Sequence, residues 1–121
     1  MKDFAKVLYE FWNSFGINAY PTNSVPDNAE LPYITYEISK PDWSDQVPIS
    51  ASVWYRDTSY IAISEKVHEI EKKIGGGISI PVSNGCVVLY KETNFIQIQD
   101  YAEDRDLKVA YLSMIVNAFI D

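Results

Sequence analysis

Few side chains in this chain are equipped to make or break bonds. His68 is the sole histidine and Cys86 the sole cysteine, so a nucleophile–base pair has one possible composition. Cys86 is followed by Val87-Val88-Leu89. In such an apolar run a thiol behaves as a small hydrophobe and stays inert. His68 falls beside Glu65, Glu69 and Lys72 on what reads as the polar face of a helix, where exposure is its ordinary fate. A zinc site would need further His or Cys ligands, and there are none. Carboxylates are more plentiful. Asp100, Glu103, Asp104 and Asp106 gather around Arg105, and several carboxylates in one turn can hold Ca²⁺. Their spacing lacks the EF-hand pattern and its glycine, and a charged turn between two strands is the plainer account. Asp42 and Asp45 flank Trp43. Paired carboxylates do acid–base work only with a cleft and a substrate-positioning set, whereas a tryptophan ringed by acids suits a contact anchor. Gly75-Gly76-Gly77 follows a helix, whereas phosphate loops precede one. The expectation is a protein that is not an enzyme and uses no cofactor or metal. Its candidate interaction residues are Asp42, Trp43, Asp45, Asp100, Glu103, Asp104, Arg105 and Asp106.

These side chains sit on a chain of 121 residues, the size of one domain. It is 47% apolar and 22% charged, enough to build a core and too apolar for wholesale disorder. Nine Tyr and three Trp lift the aromatic share to 14%, which fits either an aromatic core with a wet rim or a partner-binding excess. Ten basic residues against seventeen acidic ones leave a net charge of −7. Such a surface repels phosphate backbones and disfavours tight nucleic-acid binding. It serves solubility, and it equally suits a wall past which DNA must slide. A lone cysteine fits a reducing compartment. With no basic-then-apolar leader and no apolar run long enough to span a bilayer, the expected place is a cytoplasm.

The positioning elements follow from periodicity. Residues 3–15 read as a helix with Phe4, Val7, Leu8, Phe11 and Phe15 on one stripe. Asp3 stands at its start, Gly16 stops it, and Trp12 lies at the flank of the stripe. Residues 21–32, with Pro21, Pro26 and Pro32, read as an irregular arm. Alternation over 33–39 predicts a strand. A break over 40–46 leads to a second strand, 47–55, in a long antiparallel hairpin whose tip is residues 41–46; Pro48 places its start at an edge or bulge. A helix over 58–74 carries Tyr60, Ile63, Val67, Ile70 and Ile74 on one stripe and ends at the three glycines. Asn84-Gly85 between apolar runs 78–83 and 86–91 is a hairpin signal. Residues 95–101 alternate as a separate strand, the turn 102–105 follows, and 107–120 reads as a strand apolar on both faces, as at a sheet centre. A helix stays open for that last run, because short apolar runs are ambiguous. The expected fold class is α+β, an antiparallel, twisted sheet with two helices packed on it, in a single domain spanning 1–121.

The order of helix, proline-broken arm, Leu31-Pro32-Tyr33-Ile34-Thr35-Tyr36, Val53-Trp54-Tyr55-Arg56-Asp57, amphipathic helix, hairpin and Asp106-Leu107-Lys108-Val109 resembles the tail terminator (tail completion) proteins of long-tailed bacteriophages. The resemblance covers nearly the whole chain and rests on patterns rather than catalytic signatures. It implies a small α+β subunit without a cofactor that assembles into a ring, six-membered in that family. The ring caps the tail tube, ends its polymerisation and joins the tail to the head connector. Its expected partners are therefore copies of itself, the tail tube protein and the head–tail connector protein, with DNA passing through the lumen unbound and no membrane involved. Its location would be the virion tail, assembled in the bacterial host cytoplasm. A ring of identical subunits needs two different complementary patches on each. The tip at 41–46 is a candidate to reach the tube or a neighbour, and the turn at Asp100 to Asp106 a candidate for an acidic lumen. Isolated subunits are expected to be monomers or to associate weakly.

Other readings remain beside this one. A connector stopper would bind the portal side rather than the tube end. A small acidic adaptor would bind a basic partner through its aromatic surface. An enzyme would need a deep pocket holding His68 or Cys86. Of the tryptophans, Trp43 is expected at the tip and Trp54 in the core, where truncation costs about 3–5 kcal/mol. Trp43→Ala is therefore expected to leave the far-UV circular dichroism and melting temperature intact while weakening assembly; unfolding would place Trp43 inside the protein.

Overall fold

A computed structural model describes residues 4–37, 46–82 and 85–120, with the backbone alone for Phe4 and Ile120. Asp3, the tip residues Asp42, Trp43 and Asp45, and Asn84 lie outside the described residues. The chain runs α1 (Phe4–Trp12), a 3₁₀ turn (Asn13–Phe15), β1 (Asn18–Pro21), β2 (Tyr33–Tyr36), β3 (Gln46–Arg56), α2 (Ile61–Ile74), β4 (Ile78–Val82), β5 (Gly85–Tyr101) and β6 (Asp104–Ile120). The strands form one sheet in the order β1-β2-β3-β6-β5-β4. Every pairing is antiparallel except β1 with β2. The protein is α+β, two helices with a mostly antiparallel sheet.

The last element is a strand at the sheet centre, as its β-branched and aromatic content predicts. It pairs with β3 from Asn117 to Leu107 and with β5 from Ile120 to Asp104. Its two faces are not equivalent, contrary to expectation. Lys108, Ala110, Leu112, Met114, Val116 and Ala118 are buried, whereas Tyr111 and Phe119 are exposed and Ser113, Ile115 and Asn117 half-buried. Side chains alternate along a strand, so one face of β6 joins the core, and the other is covered only at Val109, which is fully buried. The buried parity continues across the sheet in Ile49, Ala51 and Val53 of β3, Ile34 and Tyr36 of β2, and Val87 and Leu89 of β5. These residues form one hydrophobic cluster with Leu8, Phe11 and Trp12 of α1 and Ile63, Val67, Ile70 and Ile74 of α2. Burial of each α2 aliphatic is worth about 1.5–3 kcal/mol, which holds the helix against β3, β5 and β6. Helix α1 touches β1 and β4, the two outermost strands, so the sheet curls until its edges share one helix.

Several boundaries differ from the periodicity reading. Residues 86–91 and 95–101 belong to one 17-residue strand, β5, because both segments pair with β6. Between them the register shifts: the chain from Lys91 to Ile96 spans only Met114 to Leu112 of β6. This bulge sends Phe95 into the core. Strand β1 lies between the expected stop at Gly16 and the expected arm, where no element was assigned; its four residues are too few to show alternation, and it is held by parallel pairing with β2. Helix α2 starts at Ile61, so Tyr60 is not on its stripe. The predicted first helix ends at Trp12 and continues as the 3₁₀ turn; Gly16 terminates that turn and Gly75 terminates α2, at positive φ of 82° and 55°, where a side chain would be strained. Pro48 lies on the stretch of β3 that pairs with β6 on one side and has no described strand on the other.

The tryptophans exchange the roles expected of them. Trp12 is fully buried, stacked near Tyr36 at a ring separation of 6.3 Å and edge-on to Phe11 at 4.9 Å. It lies at the meeting of α1 with the sheet rather than at a flank. Its indole Nε1 has no hydrogen-bond partner, an energetic debit inside the core. Trp54 is only half-buried, on the parity of β3 opposite to Ala51 and Val53. Trp12→Ala is expected to lower stability by about 3–5 kcal/mol in a denaturant titration. Trp12→Phe should cost much less, since it keeps the ring and deletes an unpaired N–H. Equal losses for the two would mean that the indole N–H has a partner.

Candidate interaction surfaces

The carboxylates of the β5–β6 hairpin are brought together, but not as a bare acidic patch. Asp100, next to the end of β5, lies opposite Lys108 of β6, and Lys108, only 4% exposed, places Nζ 2.6 Å from Asp100 Oδ1. The same ammonium donates to the Arg105 carbonyl at 2.6 Å and lies 4.9 Å from the centre of the Tyr60 ring. The Tyr60 hydroxyl donates to Asp100. A lysine this buried needs such partners. Arg56, at the end of β3, donates to Asp104 Oδ2 at 2.8 Å, and the Asp106 amide donates to Asp104 Oδ1 at 3.1 Å. The Asp57 amide donates to the Asp106 carbonyl at 2.8 Å, tying the β3–α2 connection to this hairpin. Arg56, Arg105 and Lys108 thus stand among the four carboxylates, and the turn is close to charge-balanced. Its hairpin loop is Ala102 and Glu103, and Asp104 already belongs to β6. An open recess of about 520 Å³ lies here, lined by Thr58, Tyr60, Asp100, Arg105, Asp106 and Lys108. Glu103, Arg105 and Asp106 are exposed and point to solvent around it.

Titration follows these contacts. The Lys108 hydrogen bond, then that of Tyr60, holds Asp100 below the usual carboxylate range, and the Arg56 hydrogen bond does the same for Asp104. Lys108 is raised by its bond to Asp100, and Tyr60 by donating to the same carboxylate. Tyr36 and Tyr55 are raised chiefly by burial. His68 is exposed on α2, 3.9 Å from a Glu71 carboxylate oxygen. Cys86 is half-buried on β5, paired in register with Phe119 and Pro81. Neither lines the recess at Tyr60 and Lys108 or the one at Tyr90 and Ile115. No group of three or more His, Cys, Asp or Glu that could hold a metal ion occurs among the described residues. No described helix is long and apolar enough to cross a membrane.

A second surface was not assembled by sequence reasoning. Register places Tyr20, Thr35, Ser52, Tyr111 and Gln97 in one row across β1, β2, β3, β6 and β5. The adjacent row on the same face is Asn18, Tyr33, Trp54, Val109 and Gln99. Further along the face Pro48, Ile115 and Tyr90 align, as do Phe119, Cys86 and Pro81. Trp54 donates to the Thr35 hydroxyl at 3.0 Å and meets Tyr101 edge-on at 5.7 Å, while Tyr20 and Tyr33 meet at 5.8 Å. None of these row residues is charged, although charged residues make up 22% of the chain. Among the described residues, Glu37 bonds Ser50 at one margin of this face, and Arg56 lies at the other. Depletion of charge with enrichment of Tyr and Trp is the compositional mark of a buried interface. The available signal in the sequence was the parity of Tyr33, Trp54 and Tyr111 against the apolar residues beside them; pairing was needed to join them.

No protein-family model matches the chain, and no curated protein matches it.

Asp100 and Asp104 are both depressed in the fold, so the unfolded chain takes up protons first as pH falls. Their contribution is complete above the ordinary carboxylate pKa of about 4 and is lost as pH drops through the lower folded values. Asp100→Asn is expected to lower the melting temperature at neutral pH, because Lys108 loses its counter-ion, and to flatten the acid limb. Parallel wild-type and variant curves of melting temperature against pH would show that Asp100 is not coupled to folding.

Proposed function

We propose that this chain is a structural virion protein of the tail-terminator kind, a subunit that assembles with copies of itself into a ring on the end of a phage tail tube. In this reading the sheet is twisted, with both helices on one face, and the ring is six-membered. It ends tube growth and offers its other side to the head connector. The chain makes no bonds in its substrate; it works by contact. One observation carries the reading beyond the resemblance of its element order and its Leu31-Pro32-Tyr33-Ile34 and Val53-Trp54-Tyr55 segments: a broad sheet face of Tyr20, Tyr33, Trp54, Tyr101, Tyr111 and Phe119, free of charge on a chain of net charge −7. Such a face is costly to leave in water and suits burial against another protein.

The charge balance of the Asp100 to Asp106 hairpin bears on the lumen. With Asp100 and Asp104 held by Lys108 and Arg56, its exposed carboxylates are Glu103 and Asp106, beside exposed Arg105. A DNA-facing wall would draw its negative potential from the rest of the −7 chain more than from this turn.

Addition of the protein to purified tail tubes, viewed by electron microscopy, tests the assignment. Wild type is expected to cap tube ends and stop elongation. Tyr111→Glu, at a position 37% exposed, should keep its circular dichroism and lose capping. Binding to portal complexes in place of tube ends would move the protein to the connector-stopper class. Turnover of a small molecule that a single substitution abolishes would end the structural reading altogether.

A further inference from the structure

Strand edges expose unpaired N–H and C=O groups, and folded proteins usually blunt them. Two of the edges here are blunted. Strand β1 is four residues long and ends at Pro21. Its Ala19 is met by the Asn13 side-chain amide, with Oδ1 accepting from the Ala19 amide at 3.0 Å and Nδ2 donating to its carbonyl at 3.3 Å. Strand β4 is five residues long and carries Pro81, which has no N–H to offer. A third edge is different. Strand β4 pairs with β5 only from Gly85 to Leu89, so the distal part of β5 has β6 on one side and no described strand on the other. Residues 96–101 are Ile-Gln-Ile-Gln-Asp-Tyr, and none of them is buried, whereas opposite them on β6 Lys108, Val109, Ala110 and Leu112 are buried and Tyr111 is exposed. This edge has no proline and no lysine. The bulge before Ile96 turns it out of line with the β4-covered half. Its one charged residue, Asp100, is engaged by Lys108 and Tyr60. Alternate residues of a paired strand direct their backbone groups away from the partner, so this run presents a ladder of donors and acceptors beside aliphatic and amide side chains.

We propose that the edge of β5 over residues 96–101 is a self-association site that takes an extended, uncharged segment of a second copy of this chain by strand addition. Main-chain hydrogen bonds supply the affinity, and Gln97 and Gln99 on one face, with the uncovered margins of Ile96 and Ile98, which also pack against the core, on the other, supply the side-chain contacts. The occupant is a second copy because of charge. Two chains of net charge −7 repel over most of their surface, and they meet at least cost along a neutral edge. A basic foreign partner would gain nothing there. The inference stands apart from the tail assignment.

Sedimentation velocity over a wide concentration range, with Gln97→Lys and Ile98→Lys, tests it. The two side chains lie on opposite faces of the sheet and share only the edge, and each substitution lowers the net negative charge, which favours unspecific association. Wild type is expected to associate reversibly, and each lysine to weaken that association by about tenfold or more. Hydrogen exchange on wild type gives a second readout that does not depend on either variant folding. Amides within 96–101 should slow as concentration rises, while those of β1 and β4 should not. A wild type that stays monomeric throughout, or association and exchange indifferent to these positions, overturns the proposal. A two-fold dimer sensitive to the lysines supports the edge and sinks the ring, whereas a ring insensitive to them keeps the ring and removes the edge.

Discussion

Strand β6 is the constraint on which the rest of the structure depends. It is the strand that pairs along its length on both sides, with β3 and with β5. Ala110, Leu112, Met114 and Val116 on its buried parity belong to the hydrophobic cluster. Because side chains alternate along a strand, a slip of one residue in either pairing would carry Leu112, Met114 and Val116 to the solvent face and Tyr111 and Phe119 to the core. Register therefore has a steep hydrophobic penalty on both sides. The helices follow from that choice: the stripe of α2 has an apolar surface to lie on only where Val53, Leu112 and their neighbours point.

The same alternation builds two surfaces of opposite character. One parity of the strands closes over with the helices. The other parity carries Tyr, Trp, Ser, Thr, Asn and Gln and almost no charge, while the charged side chains of α2 and of the β5–β6 hairpin lie off it. In a chain of net charge −7 such a separation gives a neutral surface where association costs little. Where a charge is drawn inward, as at Lys108, it is enclosed by Asp100, a backbone carbonyl and the Tyr60 ring. This contact fastens the start of α2 to the end of the hairpin, two elements far apart in the chain.

Backbone satisfaction runs through the fold unevenly. The Asn13 amide closes part of β1, Gly75 returns its N–H to Glu71 at the end of α2, and the Asp57 amide reaches the Asp106 carbonyl. Proline guards β4. The distal half of β5 has no comparable device, because the strand outruns its partner: β4 is five residues and β5 seventeen. A mismatch of strand lengths, more than any single residue, leaves that edge open.

Local chemistry made most of the elements legible. The stripe of Ile63, Val67, Ile70 and Ile74, the glycine stops, the strand character of 107–120 and the pairing of β2 with β3 and of β4 with β5 all follow from side-chain period and turn residues, which act over a few positions. So did the polar setting of His68. What lay beyond that range was decided by long-range pairing. Periodicity shows that residues share a face but not which face will be covered, so Trp12 and Trp54 exchanged the places expected of them and β6 acquired one wet side. Charge counting showed a cluster of carboxylates but not that Arg56 and Lys108, from other positions in the chain, would neutralise half of it. Four residues of β1 carry too little pattern to announce a strand, and parallel pairing with β2 made them one. Composition and spacing determined the parts and their net charge; only the packed sheet decided which parts face each other, because burial and hydrogen-bond pairing are properties of neighbours in space.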